Sequence, residues 1–185
     1  MSKLPENISL VEITSSEWSE QAKYELLRSA LQDLGFRKSS SFRGVPQKWI
    51  MEFWLSSEPG IFATIFDPHS KDRGVHSGVG VIKRDGSIIV FENTEECGLQ
   101  HRQPDRWPHC GLVEPSALLE RALRERHLGD ADVLDVLTCV RVYEQAVNED
   151  LEWRRKNGFS IEEIRNVLAR MKKKGLLAKS LPPLG

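Results

Sequence analysis

The densest group of chemically capable side chains lies in the segment ECGLQHRQPDRWPHCG, which contains Cys97, His101, His109 and Cys110. Thiolate sulfur and imidazole nitrogen are the ligands that Zn²⁺ prefers in tetrahedral protein sites. Structural zinc sites commonly supply paired ligands about two to four residues apart, whereas His109 and Cys110 are adjacent. The segment therefore predicts either a zinc site formed by these four residues or a loop whose imidazoles and small apolar thiols serve no common purpose.

A second group lies in DPHSKDRGVH, where Asp67, His69, Asp72 and His76 alternate with turn-forming residues. Carboxylates and imidazoles are the side chains of general acid–base and metal-assisted catalysis. Asp, Pro, Ser and Gly are also favoured in turns for backbone reasons, so a solvated connection between strands is the alternative. No nucleophile elbow, phosphate loop or paired-His helix accompanies the group.

A third candidate is a basic cluster near the end of the chain, formed by Arg165, Arg170, Lys172, Lys173 and Lys174. The surrounding segment SIEEIRNVLARMKKKGLL resembles the helix and following turn of a winged-helix module, which implies nucleic-acid contact. Cations at the carboxyl end of a helix are equally explained by the helix dipole. The net charge of -1 provides no global field for nucleic acid, so such binding would depend on this local patch.

A fourth candidate is aromatic and begins in KWIMEFWLSS. Trp49, Phe53 and Trp54, together with Phe62 and Phe66, could form a platform for a planar ligand. Large rings on strands more often supply buried core area, and this second interpretation is preferred.

The elements that must position these residues change type twice along the chain. Helical spacing of Tyr24, Leu27, Leu31 and Leu34 predicts a helix over residues 17–34, with Thr14 and Glu17 in capping-box spacing. Aromatic and β-branched runs separated by turn residues then predict a mostly antiparallel sheet of about five strands over residues 36–93. The predicted strands are Phe36–Phe42, Lys48–Leu55, Ile61–Asp67, Gly78–Arg84 and Ser87–Asn93.

Asp85-Gly86 is the sharpest turn in that sheet, because this pair tolerates the positive φ angles of a two-residue hairpin. Such a turn would pair Ile82 with Ile89 and Val81 with Val90. Both faces of the hairpin are then apolar, so either helices cover both faces or a partner covers one. A homodimer is one way to bury such a surface.

Residues 94–114 lack periodicity and predict a long loop. Three helices are predicted after it, over Pro115–His127, Ala131–Lys156 and Ile161–Lys174, the last opening on Ser160 and Glu163 in capping-box spacing. Residues 176–185 predict a loosely ordered tail. The chain is thus expected to be one α+β domain over residues 1–185.

Composition bounds the function. A chain of 185 residues with 39% hydrophobic residues can bury a core without disulfides. Three cysteines and the absence of a secretory leader or membrane span predict a cytoplasmic protein. The sequence favours a non-catalytic interaction or regulatory domain with a protein partner or self-association. Its alternatives are a zinc enzyme or zinc-stabilised domain using the 97–110 loop, and nucleic-acid binding through the basic carboxyl-terminal helix. Zinc is the one cofactor suggested.

Overall fold

The computed structural model describes residues 4–70, 73–95, 104–126 and 134–175. Its centre is one antiparallel sheet of six strands in the order β1-β2-β3-β4-β5-β6, so each strand pairs with its neighbour in sequence. This confirms the predicted α+β class and adds one strand. The strands are β1 (Ser9–Ile13), β2 (Arg37–Val45), β3 (Ile50–Leu55), β4 (Ile61–Asp67), β5 (His76–Ile82) and β6 (Ile88–Glu92).

The described helices include one before the main run of strands and three after it, as predicted. They are α1 (Gln21–Asp33), α2 (Pro115–Glu125), α3 (Val136–Asn157) and α4 (Ile161–Lys173), and a 3-10 turn covers Pro104–Arg106. Asp135 caps α3, since its side chain accepts a hydrogen bond from the backbone N–H of Thr138 at 2.7 Å. The predicted capping box of Ser160 and Glu163 is confirmed at the start of α4.

The region before α1 differs from the prediction. Residues Ser9–Ile13 form the edge strand β1, which pairs with β2 and is mostly exposed. The predicted capping box of Thr14 with Glu17 is wrong, because Thr14 follows β1 and the helix begins only at Gln21. Five residues, of which Leu10, Val11 and Ile13 are apolar without strict alternation, give too short a pattern to separate a strand from a loop.

Helices cover both faces of the sheet. Leu27 and Leu31 of α1 and Leu118 of α2 pack with Val79 and Val81 on one face. On the opposite face, the buried residues of α3 pack against strand residues; they are Cys139, Val142, Tyr143 and Ala146. Both faces of the apolar sheet are therefore covered by helices of the same chain. A homodimer remains a prediction, but it is not needed to bury the sheet.

The β5–β6 hairpin has a register one residue away from the predicted one. Val81 pairs with Ile89, and Ile82 with Ile88. The backbone N–H of Gly86 donates to Lys83 O at 2.9 Å, and Gly86 has φ of +80°. This is a three-residue loop with glycine in the left-handed position, not the predicted two-residue turn. As a result Ile88 and Val90 project towards α3 with Ile82, whereas Ile89 and Phe91 project towards α1 and α2.

Candidate ligand cavity

A cavity of about 530 Å³ opens on the α3 side of the sheet, between the strand ends, residues 104–110, α3 and the α3–α4 turn. This volume lies within the usual range of small-molecule sites, roughly 300–1,000 Å³. Most of its wall is apolar. Five aromatic rings line it: Trp49, Phe66, Trp107, Tyr143 and Phe159.

The rings come in two contacting pairs. Trp49, next to β3, lies with its ring centroid 5.1 Å from that of Phe66 on β4. Trp107 lies 5.3 Å from Tyr143 of α3, edge to face. The indole of Trp107 is fixed because its Nε1 donates to Asp150 Oδ2 at 2.8 Å. The sheet and the helix therefore each supply a rigid aromatic wall.

Charged groups converge at one end of the cavity around Glu92, the last residue of β6. Its Oε2 lies 3.5 Å from His109 Nδ1 and 3.6 Å from Arg73 Nη2. Burial alone would raise the pKa of the Glu92 carboxyl, but the neighbouring His109, His76 and Arg73 hold it below its usual value. Glu92 is thus an ionised carboxylate surrounded by the cationic or imidazole side chains of Arg73, His109 and His76.

Tyr143 and Arg73 bring donors to the same end. Tyr143 is 7% exposed, yet within the described part of the chain its hydroxyl makes no hydrogen bond. Burial, and then the nearby charge of Glu92, raise the pKa of Tyr143, so the hydroxyl stays protonated. Arg73 Nε and Nη2 are buried and find no hydrogen-bond acceptor among the described residues.

His76 stands beside this group on β5, with its ring 5.2 Å from that of Phe66. Its Nδ1 lies 2.9 Å from Gly74 O, and burial lowers its pKa. Asp67 is on the other face of the sheet, because it follows Phe66 along β4. Asp67 accepts hydrogen bonds from Ser19 and from the backbone of His69, so it anchors the segment before α1.

The structure divides the predicted 67–76 cluster, since His69 Nε2 stays 3.9 Å from Asp67 Oδ2 while His76 lies apart from Asp67. Asp67 and His76 project to opposite faces, and Asp72 lies outside the described residues. The arrangement does not support joint catalysis by these two side chains.

The predicted zinc ligands are only partly described. His109 lines the cavity, whereas Cys110 packs against the core under α1 and α2. Cys97 and His101 lie outside the described residues, so the four-residue zinc site remains a prediction. In the part that is described, no three His, Cys, Asp or Glu side chains are grouped to hold a metal ion.

The third cysteine, Cys139, lies in an environment that disfavours the reactive thiolate. Cys139 lies on α3 and is fully buried, and burial raises the pKa of its thiol to about 12. A thiol held protonated at neutral pH is a poor nucleophile.

The basic residues of α4 present a mixed surface. Arg165, Lys172 and Lys173 are exposed, Arg170 is half-buried, and Lys174 lies 4.0 Å from Glu95. Nucleic-acid contact through them remains a prediction.

The predicted aromatic group divides between two roles. Phe53, Trp54 and Phe62 are fully buried core residues, which confirms the packing interpretation for them. Trp49 and Phe66 line the cavity instead.

Comparison with known proteins gives no match to a family model, to a curated protein or to a solved structure. In the described part of the chain, no helix has both the length and the apolar character needed to cross a membrane.

Proposed function

We propose that this protein is a non-catalytic regulatory domain that binds a small organic molecule in the cavity between its sheet and α3. The observation that supports this is the combination of a cavity of about 530 Å³, aromatic walls and a small set of convergent polar groups. Concave, mostly apolar sites with a few placed polar groups are typical of small-molecule binding.

Binding is proposed in preference to catalysis because the carboxylates in the cavity wall lie beside cationic or hydrogen-bonding groups of the protein. Glu92 is shared between Arg73 and His109, and Asp150 accepts the indole N–H of Trp107. Such groups orient a ligand through hydrogen bonds while the rings exclude water. A cytoplasmic location and a protein partner that responds to the ligand are part of the proposal.

A fluorine-detected NMR screen of small aromatic fragments tests the proposal. Val147→Trp would place an indole inside the cavity, since Val147 lines it from α3. Leu137→Trp is the matched control, because Leu137 is on the same helix but 75% exposed. Fragments should bind the parent protein and Leu137→Trp, and binding should be lost in Val147→Trp.

Circular dichroism establishes that the variants fold, and Leu151→Trp, also in the cavity wall, is the substitute if Val147→Trp does not. The proposal is overturned if no fragment binds the parent protein. It is equally overturned if fragments bind the cavity-filled variant with unchanged affinity.

A further inference from the structure

We infer that the cavity takes an organic carboxylate with a planar apolar body, the acid group lying at the Arg73–Tyr143 end. This inference rests on the proposed function and specifies its ligand class. The juxtaposition that carries it is an excess of hydrogen-bond donors over acceptors at one end of an aromatic-walled cavity.

The first source of that excess is Arg73. Arg73 lines the cavity, and among the described residues its charge contact is the 3.6 Å approach of Nη2 to Glu92 Oε2, which is longer than a hydrogen bond. Nε and Nη2, which form one edge of the planar guanidinium, lack an acceptor among the described residues. A carboxylate matches such an edge with two parallel hydrogen bonds once the guanidinium turns that edge, which is closed to solvent here, towards the cavity.

The second source is Tyr143. A tyrosine hydroxyl without a protein partner can donate a hydrogen bond to a ligand that enters the same cavity. Here the residue is 7% exposed, lines the cavity, and has no hydrogen bond in the described structure. Tyr143, Arg73 and Glu92 line the same cavity.

The acceptors of the lining have donors beside them, although both contacts of the Glu92 carboxylate are longer than a hydrogen bond. Glu92 has both Arg73 and His109 as neighbours, and Asp150 accepts from Trp107 at 2.8 Å. A cationic ligand would also meet two arginines, Arg73 and Arg154, in the cavity wall. An added acceptor therefore satisfies the guanidinium edge that the described protein leaves open at Arg73.

The aromatic walls define the rest of the molecule. Flat side chains at centroid separations of 5.1 Å and 5.3 Å form the two ring pairs. A planar conjugated body gains stacking and edge contacts from both walls, which a branched aliphatic body does not.

Cinnamate, cinnamyl alcohol and the ammonium form of cinnamylamine are suitable probes, because they share one planar body and differ in the polar group. Isothermal titration calorimetry at neutral pH should rank cinnamate first. Arg73→Met should weaken cinnamate by roughly tenfold or more, the value of one charge-assisted bidentate pair, and leave cinnamyl alcohol unchanged. Tyr143→Phe should weaken cinnamate about threefold.

Arg124→Met is the matched control, since the Arg124 side chain is 77% exposed and lies on α2, away from the cavity. If the alcohol or the ammonium compound binds as tightly as cinnamate, the ligand class is wrong while the proposed cavity function stands. If Arg73→Met leaves cinnamate binding unchanged, the acid group is not at Arg73 and the inference fails. If none of the three compounds binds while screening fragments do, a planar acid is excluded as the ligand class. If neither these compounds nor the fragments bind, the proposed function fails together with the inference.

Discussion

His109 and Glu92 are joined twice, through their side chains and through their backbones. His109 Nδ1 lies 3.5 Å from Glu92 Oε2, and the two residues also form an isolated parallel β-bridge. The Glu92 N–H donates to Pro108 O at 3.1 Å, and the Cys110 N–H donates to Glu92 O at 2.9 Å. The segment that carries Trp107 and His109 is therefore held at the sheet edge by main-chain hydrogen bonds, so the cavity wall does not depend on packing alone.

Stability should depend on the protonation of His76. Burial lowers the pKa of His76 below its ordinary 6.5, an effect that nearby Glu92 opposes only in part. As pH falls below about 6.5, the unfolded chain binds a proton that the folded chain does not. Stability should then fall by up to about 1.4 kcal/mol per pH unit from this group until the folded-state pKa is reached.

His76→Gln removes that dependence while retaining a polar side chain of similar size. Urea denaturation at mildly acidic and mildly alkaline pH should show a smaller difference in the free energy of unfolding for the variant than for the parent. His69→Gln makes the same substitution at a histidine whose side chain is 38% exposed. Parallel pH profiles for the parent and His76→Gln would contradict the assignment.

Gly86 should be sensitive to backbone strain alone. Its φ is +80°, and a Cβ added there would meet no atom within 4 Å. Gly86→Val should therefore lower stability by about 1–2 kcal/mol through the left-handed conformation, without any steric clash. Gly86→Asn is the matched variant, because asparagine enters this region more readily and should cost less. Equal melting temperatures for the two variants would show that the loop adopts another conformation.

The central strands and the helices could be predicted because turn residues, apolar runs and helical spacing are visible within a few neighbouring residues. The predicted bounds of β4 agree with the structure, since Gly60 precedes a continuous apolar run. The hairpin register was wrong because Asp85-Gly86 suits both a two-residue turn and the three-residue loop that forms. Choosing between them requires knowing which face each isoleucine buries.

The cavity could not be predicted in the same way. Glu92 and Tyr143 sit on different elements and stand in no sequence motif together. His109 was singled out as a zinc ligand, but its contact with Glu92 arises from an irregular bridge to β6. No sequence motif marks Trp107 or Arg73 as a site residue. They come to one site only through the packing of α3 over the sheet.

Glu52 should be the most sensitive carboxylate on the α1 face. It is fully buried on β3 and accepts hydrogen bonds from Ser41 at 3.0 Å and from Trp54 Nε1 at 2.9 Å, beside an ion pair with Lys38. Glu52→Gln keeps the shape but converts one acceptor oxygen to a donor facing other donors. It should lower the free energy of unfolding by about 1–3 kcal/mol.

The matched control for Glu52 is Glu25→Gln on α1, where the side chain is 50% exposed and its ion pair with Arg28 is on the surface. Exposed pairs of this kind contribute about 0–1 kcal/mol. Chemical denaturation of both variants measures the loss in the free energy of unfolding. Equal losses for Glu52→Gln and Glu25→Gln would show that the buried network contributes no more than a surface pair.

The connection between α3 and α4 depends on a buried ion pair. Arg154 Nη1 donates to Glu163 Oε1 at 2.7 Å and to Gly158 O at 3.0 Å, and its guanidinium lies 4.7 Å from the ring centroid of Phe159. Both charged residues are more than nine-tenths buried. Removing one partner leaves the other charge uncompensated in an apolar place, at a cost of about 3–5 kcal/mol in comparable sites.

Because that cost comes from the orphaned charge, removing both partners should be less harmful than the two single changes combined. Arg154→Met and Glu163→Leu should each increase amide exchange across residues 161–173, and the double variant should recover part of the protection. Glu163 also caps α4 through the Ser160 N–H, so recovery should be incomplete; Ser160→Ala measures that capping contribution separately at about 1 kcal/mol. Exchange in the double variant equal to the sum of the single effects would show that Arg154 and Glu163 are not coupled, and that α4 is held by its other contacts.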